Sequence, residues 1–140
     1  MPAKDKIHDN VRNALKNDGW QVIKEQMRVQ FEDAYIYVDL AAEDRLVVAE
    51  RAGERVAIEV KSFLSPSAMQ DIEDALGQFV VYRIFLKRIE PDRHLFLGIS
   101  HLTYNTVFQS RAIQTLIDEL AVSLLIVNIE TEEVLDWIRK

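Results

Sequence analysis

A carboxylate and an ammonium group interrupt an apolar segment in the first half of the chain. Glu59 and Lys61 lie at the end of residues 56–61, whose other side chains are apolar. Side chains alternate between the two faces of a β-strand, so Glu59 and Lys61 point to one face while Ile58 and Val60 point to the other. One face therefore belongs to a core, and the other carries two opposite charges side by side.

A second carboxylate, Asp39, lies at the end of the strand-like segment 35–40, before the hairpin that leads to Glu59. The hairpin would let the two carboxylates converge at one end of a sheet. Neighbouring carboxylates repel each other unless a cation lies between them. Mg²⁺ prefers such hard oxygen ligands and keeps bound water that can act as a nucleophile. With Lys61 to orient that water or to stabilise charge on a phosphate, the set predicts metal-assisted hydrolysis of a phosphodiester.

Two alternatives remain open at this level. A Glu-x-Lys spacing also occurs in strands with no catalytic role, where Glu59 and Lys61 would form an ion pair worth ~0–1 kcal/mol. Gln78 and Tyr82 favour the catalytic interpretation, because residues four apart share a helix face and polar groups in an apolar segment need partners. Both side chains could instead lie at the helix margin and bond to water.

Apolar periodicity predicts an α/β fold that begins with a helix over residues 4–18, ended by Gly19. A hairpin of residues 46–50 and 56–61 is expected around a Gly-containing turn. Before it, short strands are expected at 20–23, 27–31 and 35–40.

The second half of the chain alternates between helices and strands. A long helix over 66–89 is expected, with Ser65 as its N-cap, and its nearly continuous apolar stretch from Phe79 to Leu86 predicts burial between layers. The remaining predicted elements are a strand at 94–99, helical material at 102–120, a buried strand at 123–129 and a last helix from Thr131 to Lys140. This alternation is typical of an α/β sandwich, here one domain over residues 1–140.

Composition narrows the functional classes. The chain is 49% hydrophobic and 29% charged, which is typical of a compact domain with a core. Cysteine is absent, which excludes disulfides and thiolate metal sites, and no apolar run is long enough for a membrane span or a secretory leader. We therefore expect a cytoplasmic protein without a membrane partner. The formal charge of -6 counts against a generic nucleic-acid binder.

The candidate residues resemble a known nuclease pattern. Asp39, then Glu59-Val60-Lys61, then Gln78-x-x-x-Tyr82 resemble the motif of the PD-(D/E)XK nuclease superfamily and the Gln-x-x-x-Tyr element of RecB-type nuclease domains. The whole chain resembles the XisH family, the fdxN element excision controlling factors of cyanobacteria. The matching segments are residues 1–5, 18–20, 37–40, 58–63 and 76–82, followed by Tyr104-Asn and Trp137-Ile.

The resemblance implies a restriction-endonuclease-like core, a mixed β-sheet flanked by helices in the order α-β-β-β-α-β. Asp39 and Glu59 would bind Mg²⁺ or Mn²⁺, with the Val60 carbonyl as a candidate third ligand. Lys61 would be the catalytic lysine. Gln78 and Tyr82 would be the supporting residues of the site.

The resemblance also implies a function in developmentally regulated excision of a DNA element, where a separate recombinase cuts and rejoins the strands. The chain would be an endonuclease-like accessory factor that acts on DNA, with an XisI-like protein as its partner. The alternative is a non-catalytic regulatory protein with a nuclease fold that binds XisI or the recombinase. A homodimer is compatible with the small size and the apolar C-terminal half.

Several residues depart from the pattern or compete with it. Val38 replaces the proline that names the superfamily. Glu43 and Glu50 are extra acids that either compete for metal or are surface charges. His8 is expected to be a partly exposed structural histidine, and His94 and His101 are assigned no role. The basic residues best placed for phosphate contacts are Arg12, Lys16, Arg83, Lys87 and Arg88.

Overall fold

The computed structural model describes residues 7–29, 31–32 and 45–140. In that part of the chain the elements are α1 (His8–Asn17), β1 (Gln21–Arg28), β2 (Arg45–Arg51), β3 (Glu54–Val60), α2 (Ala68–Ile89), β4 (Arg93–Ser100), α3 (His101–Thr106), a 3-10 turn (Val107–Gln109), α4 (Arg111–Glu119), β5 (Leu124–Asn128) and β6 (Glu133–Ile138). The predicted strand 35–40, with Asp39, and also Glu43 lie outside the described residues. The predicted mixed sheet flanked by helices is confirmed.

The six described strands form one sheet in chain order, β1-β2-β3-β4-β5-β6. Neighbours pair antiparallel except β3 with β4 and β4 with β5, which are parallel. The carboxyl ends of β3, β4 and β5 therefore meet at one edge of the sheet, and their amino ends meet at the opposite edge.

Helices cover both faces of this sheet. One apolar layer joins α2 and α4 to one face and includes Leu46, Ala57 and Leu97. The other layer joins α1 to the opposite face and includes Ile58 and Phe96. Successive residues of β3 alternate between these layers, as the strand period requires.

Two glycines mark boundaries that the sequence predicted. The β2–β3 turn consists of Ala52 and Gly53, with φ of 50° and 83°, which is the left-handed pair that a two-residue hairpin turn needs. Gly19, with φ of 86°, follows the end of α1. Both predictions are confirmed.

The start of the long helix differs from its prediction. The N-cap of α2 is Ser67, whose side chain accepts a hydrogen bond from the Gln70 amide, and Ser65 lies two residues earlier in the preceding loop. Both serines have the chemistry of an N-cap. The chain uses the one that follows Pro66, because its Oγ lies within reach of the amide at the third helical position.

The prediction that the second half of α2 is buried between layers is wrong. Phe79 and Leu86 are buried against the sheet, whereas Val81 and Ile84 are 45% and 54% exposed. Only one face of α2 contacts the sheet, and no described element covers the other. None of the described helices is long and apolar enough to cross a lipid bilayer.

Strand β1 is continuous where two short strands were predicted. Val22 lies opposite Ala49 and Met27 opposite Leu46, so five steps along β1 match three steps along β2. Bulges absorb the extra residues at the polar stretch between the two predicted strands. The apolar pattern is interrupted here, but the strand continues through both bulges.

The last predicted helix, from Thr131 to Lys140, is also wrong. Residues Glu133–Ile138 form strand β6, antiparallel to β5. The preceding acidic residues form a turn, in which the Asn128 side-chain oxygen accepts hydrogen bonds from the amides of Glu130 and Thr131.

A bulge explains why this strand looked helical in sequence. Val134 lies opposite Val127 and Trp137 opposite Leu125, so three steps along β6 match two steps along β5. The extra residue brings Val134 and Trp137 to the same face, although they are three positions apart. That spacing is typical of a helix stripe, and only the pairing with β5 distinguishes the two.

Candidate active site

Glu59 is a buried carboxylate near the carboxyl end of β3. Its residue is 5% exposed, and in the sheet it lies between Leu46 on β2 and Leu97 on β4. Both leucines belong to the layer beneath α2. A carboxylate in such a position costs free energy unless a cation or hydrogen-bond donors lie beside it. Glu59 therefore lies on the sheet face opposite Ile58, as predicted, and α2 packs over that face.

Val60 is the last residue of β3, and Lys61 follows it in a half-buried position. The Lys61 amide donates a 3.1 Å hydrogen bond to the Gly98 carbonyl, which extends the pairing with β4 by one residue. None of the ion pairs among the described residues joins Glu59 to Lys61. The structure thus gives no support to a simple ion pair as the reason for the Glu-x-Lys spacing.

Gly98 allows the close approach of β4 to β3 at this level. It lies opposite Val60, and a Cβ atom added to it would be 2.6 Å from Ile58 Cγ2. A larger residue would clash with the Ile58 side chain, which would have to shift beside the end of β3. The sequence showed a glycine in this strand, but not the contact that requires it.

The loop that carries Lys61 away from the sheet has a constrained backbone. Phe63 has φ of 58°, which is rare for a non-glycine residue, and its ring packs edge-to-face on buried Phe108 with centroids 5.3 Å apart. Backbone conformations of this kind persist only where packing over-determines them, and they concentrate at functional sites.

Asp71 holds the same loop from α2. It is 6% exposed, and its Oδ2 accepts a 3.0 Å hydrogen bond from the Ser65 amide. Sequence reasoning missed this residue. An aspartate in the first turn of a helix is usually explained by the helix dipole, and nothing in the sequence shows that this one faces inward.

Tyr82 lies in the same layer as the neighbours of Glu59. It is 7% exposed and packs with Leu46 and Leu97, and Gln78, one turn earlier on α2, is half-buried. Tyr82 is therefore largely buried, whereas Gln78 keeps part of its surface in water. Both residues belong to the helix that covers the sheet face of Glu59.

The donor set suits a hard divalent cation. Of the three predicted ligands, Glu59 and Val60 are described, and both lie at the carboxyl end of β3. They offer a carboxylate and a backbone carbonyl, which are ligands that Mg²⁺ and Mn²⁺ accept. Asp39, the third, lies outside the described residues.

Comparison with known proteins identifies the family. The profile of the XisH protein family matches residues 1–135 of the 140. The chain belongs to the XisH family. No functionally curated protein matches it.

Two solved structures share this fold over nearly the whole chain. A crystal structure of an XisH family protein from Nostoc punctiforme is 39% identical, with a TM-score of 0.86, over 96% of this chain and 100% of the other. A crystal structure of an fdxN element excision controlling factor protein from Anabaena variabilis is also 39% identical, with a TM-score of 0.85, over 95% and 98%.

Glu50 of this XisH-family chain is not near Glu59. It lies opposite Arg55, at the other end of the hairpin, and accepts a 3.1 Å hydrogen bond from Arg93. The bond from Arg93 lowers the pKa of the Glu50 carboxyl. Glu50 is therefore an ion-paired carboxylate at the opposite end of the hairpin from Glu59.

His8 is buried, at 6% exposure, and not partly exposed as predicted. Its Nε2 lies 3.8 Å from Glu25 Oε1, and the three side chains of His8, Asp9 and Glu25 are close enough together to hold a metal ion. The Arg12 guanidinium already bridges the two acids, at 3.3 Å from Asp9 and 2.8 Å from Glu25. The Glu25 hydrogen bond raises the pKa of Arg12.

The other predicted residues lie on several elements. His94 Nε2 lies 3.0 Å from Ser123 Oγ at the amino end of β4, and His101 follows the carboxyl end of that strand. Arg83 donates to two backbone carbonyls, whereas Lys87 and Arg88 are exposed on α2. Arg12 and Lys16 lie on α1, so the predicted phosphate-binding residues belong to two helices on opposite faces of the sheet.

Proposed function

We propose that this XisH-family protein is an endonuclease-like accessory factor that controls excision of a DNA element and has a Mg²⁺- or Mn²⁺-dependent phosphodiesterase site. The observation that carries the proposal is the buried Glu59 carboxylate near the end of β3, with Lys61 two residues later and Tyr82 in the layer above it. The name of the Anabaena variabilis protein supports the excision function.

Each residue has a physical role in this proposal. Asp39, Glu59 and the Val60 carbonyl would hold the cation, which would supply a bound water of lowered pKa and neutralise charge on the phosphate. Lys61 would hold the scissile phosphate and stabilise its transition-state charge. Tyr82 and Gln78 would orient these groups from α2.

The surrounding structure would keep this set in place. The amide of Lys61 is fixed by Gly98, the backbone of Phe63 is held by Phe108, and Asp71 accepts the amide of Ser65. A lysine that is held at its backbone loses less conformational freedom when it binds phosphate. The net charge of -6 means that DNA binding would depend on the cation as well as on basic side chains.

Calorimetric titration with Mn²⁺ and with Mg²⁺ tests the site directly. Asp39→Ala and Glu59→Gln should each abolish saturable binding, because each removes a ligand. Glu54→Gln is the matched control, since Glu54 begins the same strand at the opposite edge of the sheet. Equal binding by the wild type and both ligand variants would contradict the metal site.

Cleavage of supercoiled and branched DNA with Mn²⁺ tests the chemistry. Lys61→Met should lower the cleavage rate at least about a hundredfold, because transition-state charge loses its partner, while the variant still binds the cation. Lys24→Met, at an exposed position on β1, should cleave at the wild-type rate. An unchanged cleavage rate in Lys61→Met would contradict the assignment of Lys61 as the catalytic lysine.

One observation favours the second candidate, a non-catalytic regulator that binds an XisI-like protein or the recombinase. Val81 and Ile84, three positions apart on one face of α2, are 45% and 54% exposed. Exposed apolar side chains grouped on one helix mark protein-binding surfaces.

Co-purification with an XisI-like protein separates the two candidates. The double variant V81E/I84E should no longer bind the partner. Leu135→Glu, at a position on β6 that is as exposed as Ile84, should still bind it. Loss of the partner in V81E/I84E, together with no cleavage by the wild type, would favour the regulator. If the wild type self-associates without a partner and V81E/I84E does not, the face instead forms a homodimer.

A further inference from the structure

A cavity lies at the edge of the sheet opposite the candidate active site. It has a volume of about 460 Å³. Its wall includes Arg93 and His94, the first residues of β4, and Ser123, immediately before β5. Because β3, β4 and β5 are parallel, these residues lie at the amino-end edge, whereas Glu59 and Val60 lie near the carboxyl ends. The cavity is therefore separate from the motif.

The side chains of the cavity form two zones. Phe79, Leu86 and Leu95 are buried and apolar and form its inner wall. Among the described residues of the lining, the cationic side chains are Arg83, Lys87, Arg93 and Lys140, and the one carboxylate side chain is that of Asp92. This excess of positive charge runs against the net charge of the chain, which is -6.

Two of the four cations are already neutralised. Arg93 is ion-paired with Glu50 and Glu90, and Lys140 Nζ lies 2.8 Å from Asp118. These cations shape the wall of the cavity, and their charge is compensated by carboxylates.

The other two cations have no carboxylate partner in the part of the chain that the structure describes. Arg83 and Lys87 take part in none of its ion pairs. They are four residues apart on α2, so they share a helix face, and like charges at this spacing repel each other. An anion between them would remove this repulsion.

Arg83 is held in place before any ligand binds. Its Nη1 donates 2.8 Å hydrogen bonds to the carbonyls of Leu120 and Ala121, and its guanidinium lies 5.3 Å from the Phe79 ring centroid. Ala121 has φ of 51°, so the backbone itself adopts an uncommon conformation to present its carbonyl. A guanidinium has five N–H donors, and these bonds use only those of Nη1.

We infer that this cavity binds a small organic anion of mononucleotide size, with a phosphate head between Arg83 and Lys87 and a flat apolar body on the inner wall. The volume lies within the range of small-molecule sites, and an apolar wall with a few convergent polar groups is their usual construction. A guanidinium binds phosphate through parallel N–H bonds and also stacks on flat rings. The ligand is a nucleoside monophosphate, free or at the 5′ end of a strand.

Calorimetric titration of the full chain with adenosine 5′-monophosphate (AMP) tests the inference. The wild type should bind one AMP saturably, and adenosine and inorganic phosphate, each lacking one half of the ligand, should bind at least about tenfold more weakly. Competition by a 5′-phosphorylated oligonucleotide would identify a strand end as the source, and lack of competition would identify the free nucleotide. No saturable binding of AMP would overturn the inference.

Neighbouring residues on α2 provide a matched pair of variants. Lys87→Gln should weaken AMP binding about tenfold, whereas Arg88→Gln, the same loss of charge next to the cavity but outside its lining, should leave it unchanged. Arg83→Gln should weaken AMP binding further. The melting temperature of this variant shows how much the hydrogen bonds of Arg83 to Leu120 and Ala121 stabilise the fold. Equal effects of Lys87→Gln and Arg88→Gln would indicate diffuse attraction and overturn the site.

Glu59→Gln distinguishes this cavity from the candidate active site. The variant should bind AMP as the wild type does, because the two sites lie at opposite edges of the sheet. Loss of AMP binding in Glu59→Gln would place the nucleotide at the motif and overturn the inference. Neither result depends on whether the chain cleaves DNA.

Discussion

Gly98 is the residue on which the position of the motif depends most directly. Gly98→Ala would place a Cβ 2.6 Å from Ile58 Cγ2, and overpacking of this kind costs about 1–3 kcal/mol. Urea unfolding of Gly98→Ala, Ile58→Ala and the double variant measures the coupling. We expect Gly98→Ala to cost less in the Ile58→Ala background, and strictly additive effects would contradict the contact.

His94 should make stability depend on pH. Burial, and then the nearby charge of Arg139, lower its pKa, with Glu54 opposing. The unfolded chain therefore takes up this proton first, so the free energy of unfolding should fall as pH drops through about 6.5. Glu50, whose pKa is lowered from 4.5, contributes stability that is lost only below that value.

Thermal melts from about pH 8 to about pH 5 check the assignment of this transition. His94→Gln should show a smaller fall in melting temperature than the wild type over this interval, because it has no proton to take up. An equal fall in both proteins would assign the pH dependence to another group.

At the scale of elements, the loop after β3 connects the motif to α2. Asp71→Ala would remove the part-buried hydrogen bond from the Ser65 amide, at a cost of about 1.5–3 kcal/mol for a hydrogen bond to a charged group. Asp74→Ala, at an exposed position on the same helix that bonds only to the Gln70 side chain, should cost less than about 0.5 kcal/mol.

Hydrogen exchange localises the effect of Asp71→Ala. The amides of residues 61–65 and of Ser67 should exchange faster in this variant than in the wild type, while those in the middle of α2 keep their protection. A uniform loss of protection along α2 would mean that Asp71 stabilises the helix as a whole and does not position the loop.

At the scale of the whole molecule, Trp137 connects the two ends of the chain. Its ring lies 5.1 Å from Trp20, beside α1, and 4.8 Å from Phe96 on β4. Trp137→Ala should destabilise the fold by about 2–3 kcal/mol, below the range for a fully buried aromatic because Trp137 is half-buried.

Urea unfolding, followed by circular dichroism, measures this loss. Leu135→Ala, on the exposed side of β6, is the control and should change the stability by less than about 0.5 kcal/mol. A small effect of Trp137→Ala would mean that β6 is peripheral to the core.

The sequence by itself determined the features that depend on local chemistry. The φ requirement at Gly53, the end of α1 at Gly19 and the alternation of Glu59 with Ile58 follow from steric rules and strand geometry, and the structure agrees. The family was likewise evident in the chain, because residue types and their spacing are what its matching segments consist of.

Only the tertiary structure decided the features that depend on distant partners. The bulge opposite β5 makes a strand of a segment with helical spacing, and α2 leaves Val81 and Ile84 exposed on the side away from the sheet. The inward position of Asp71 and the grouping of Arg83 with the start of β4 likewise join segments that are far apart in the chain. Periodicity records which side chains are apolar, whereas pairing and cover are decided by the free energy of contacts that a local pattern does not contain.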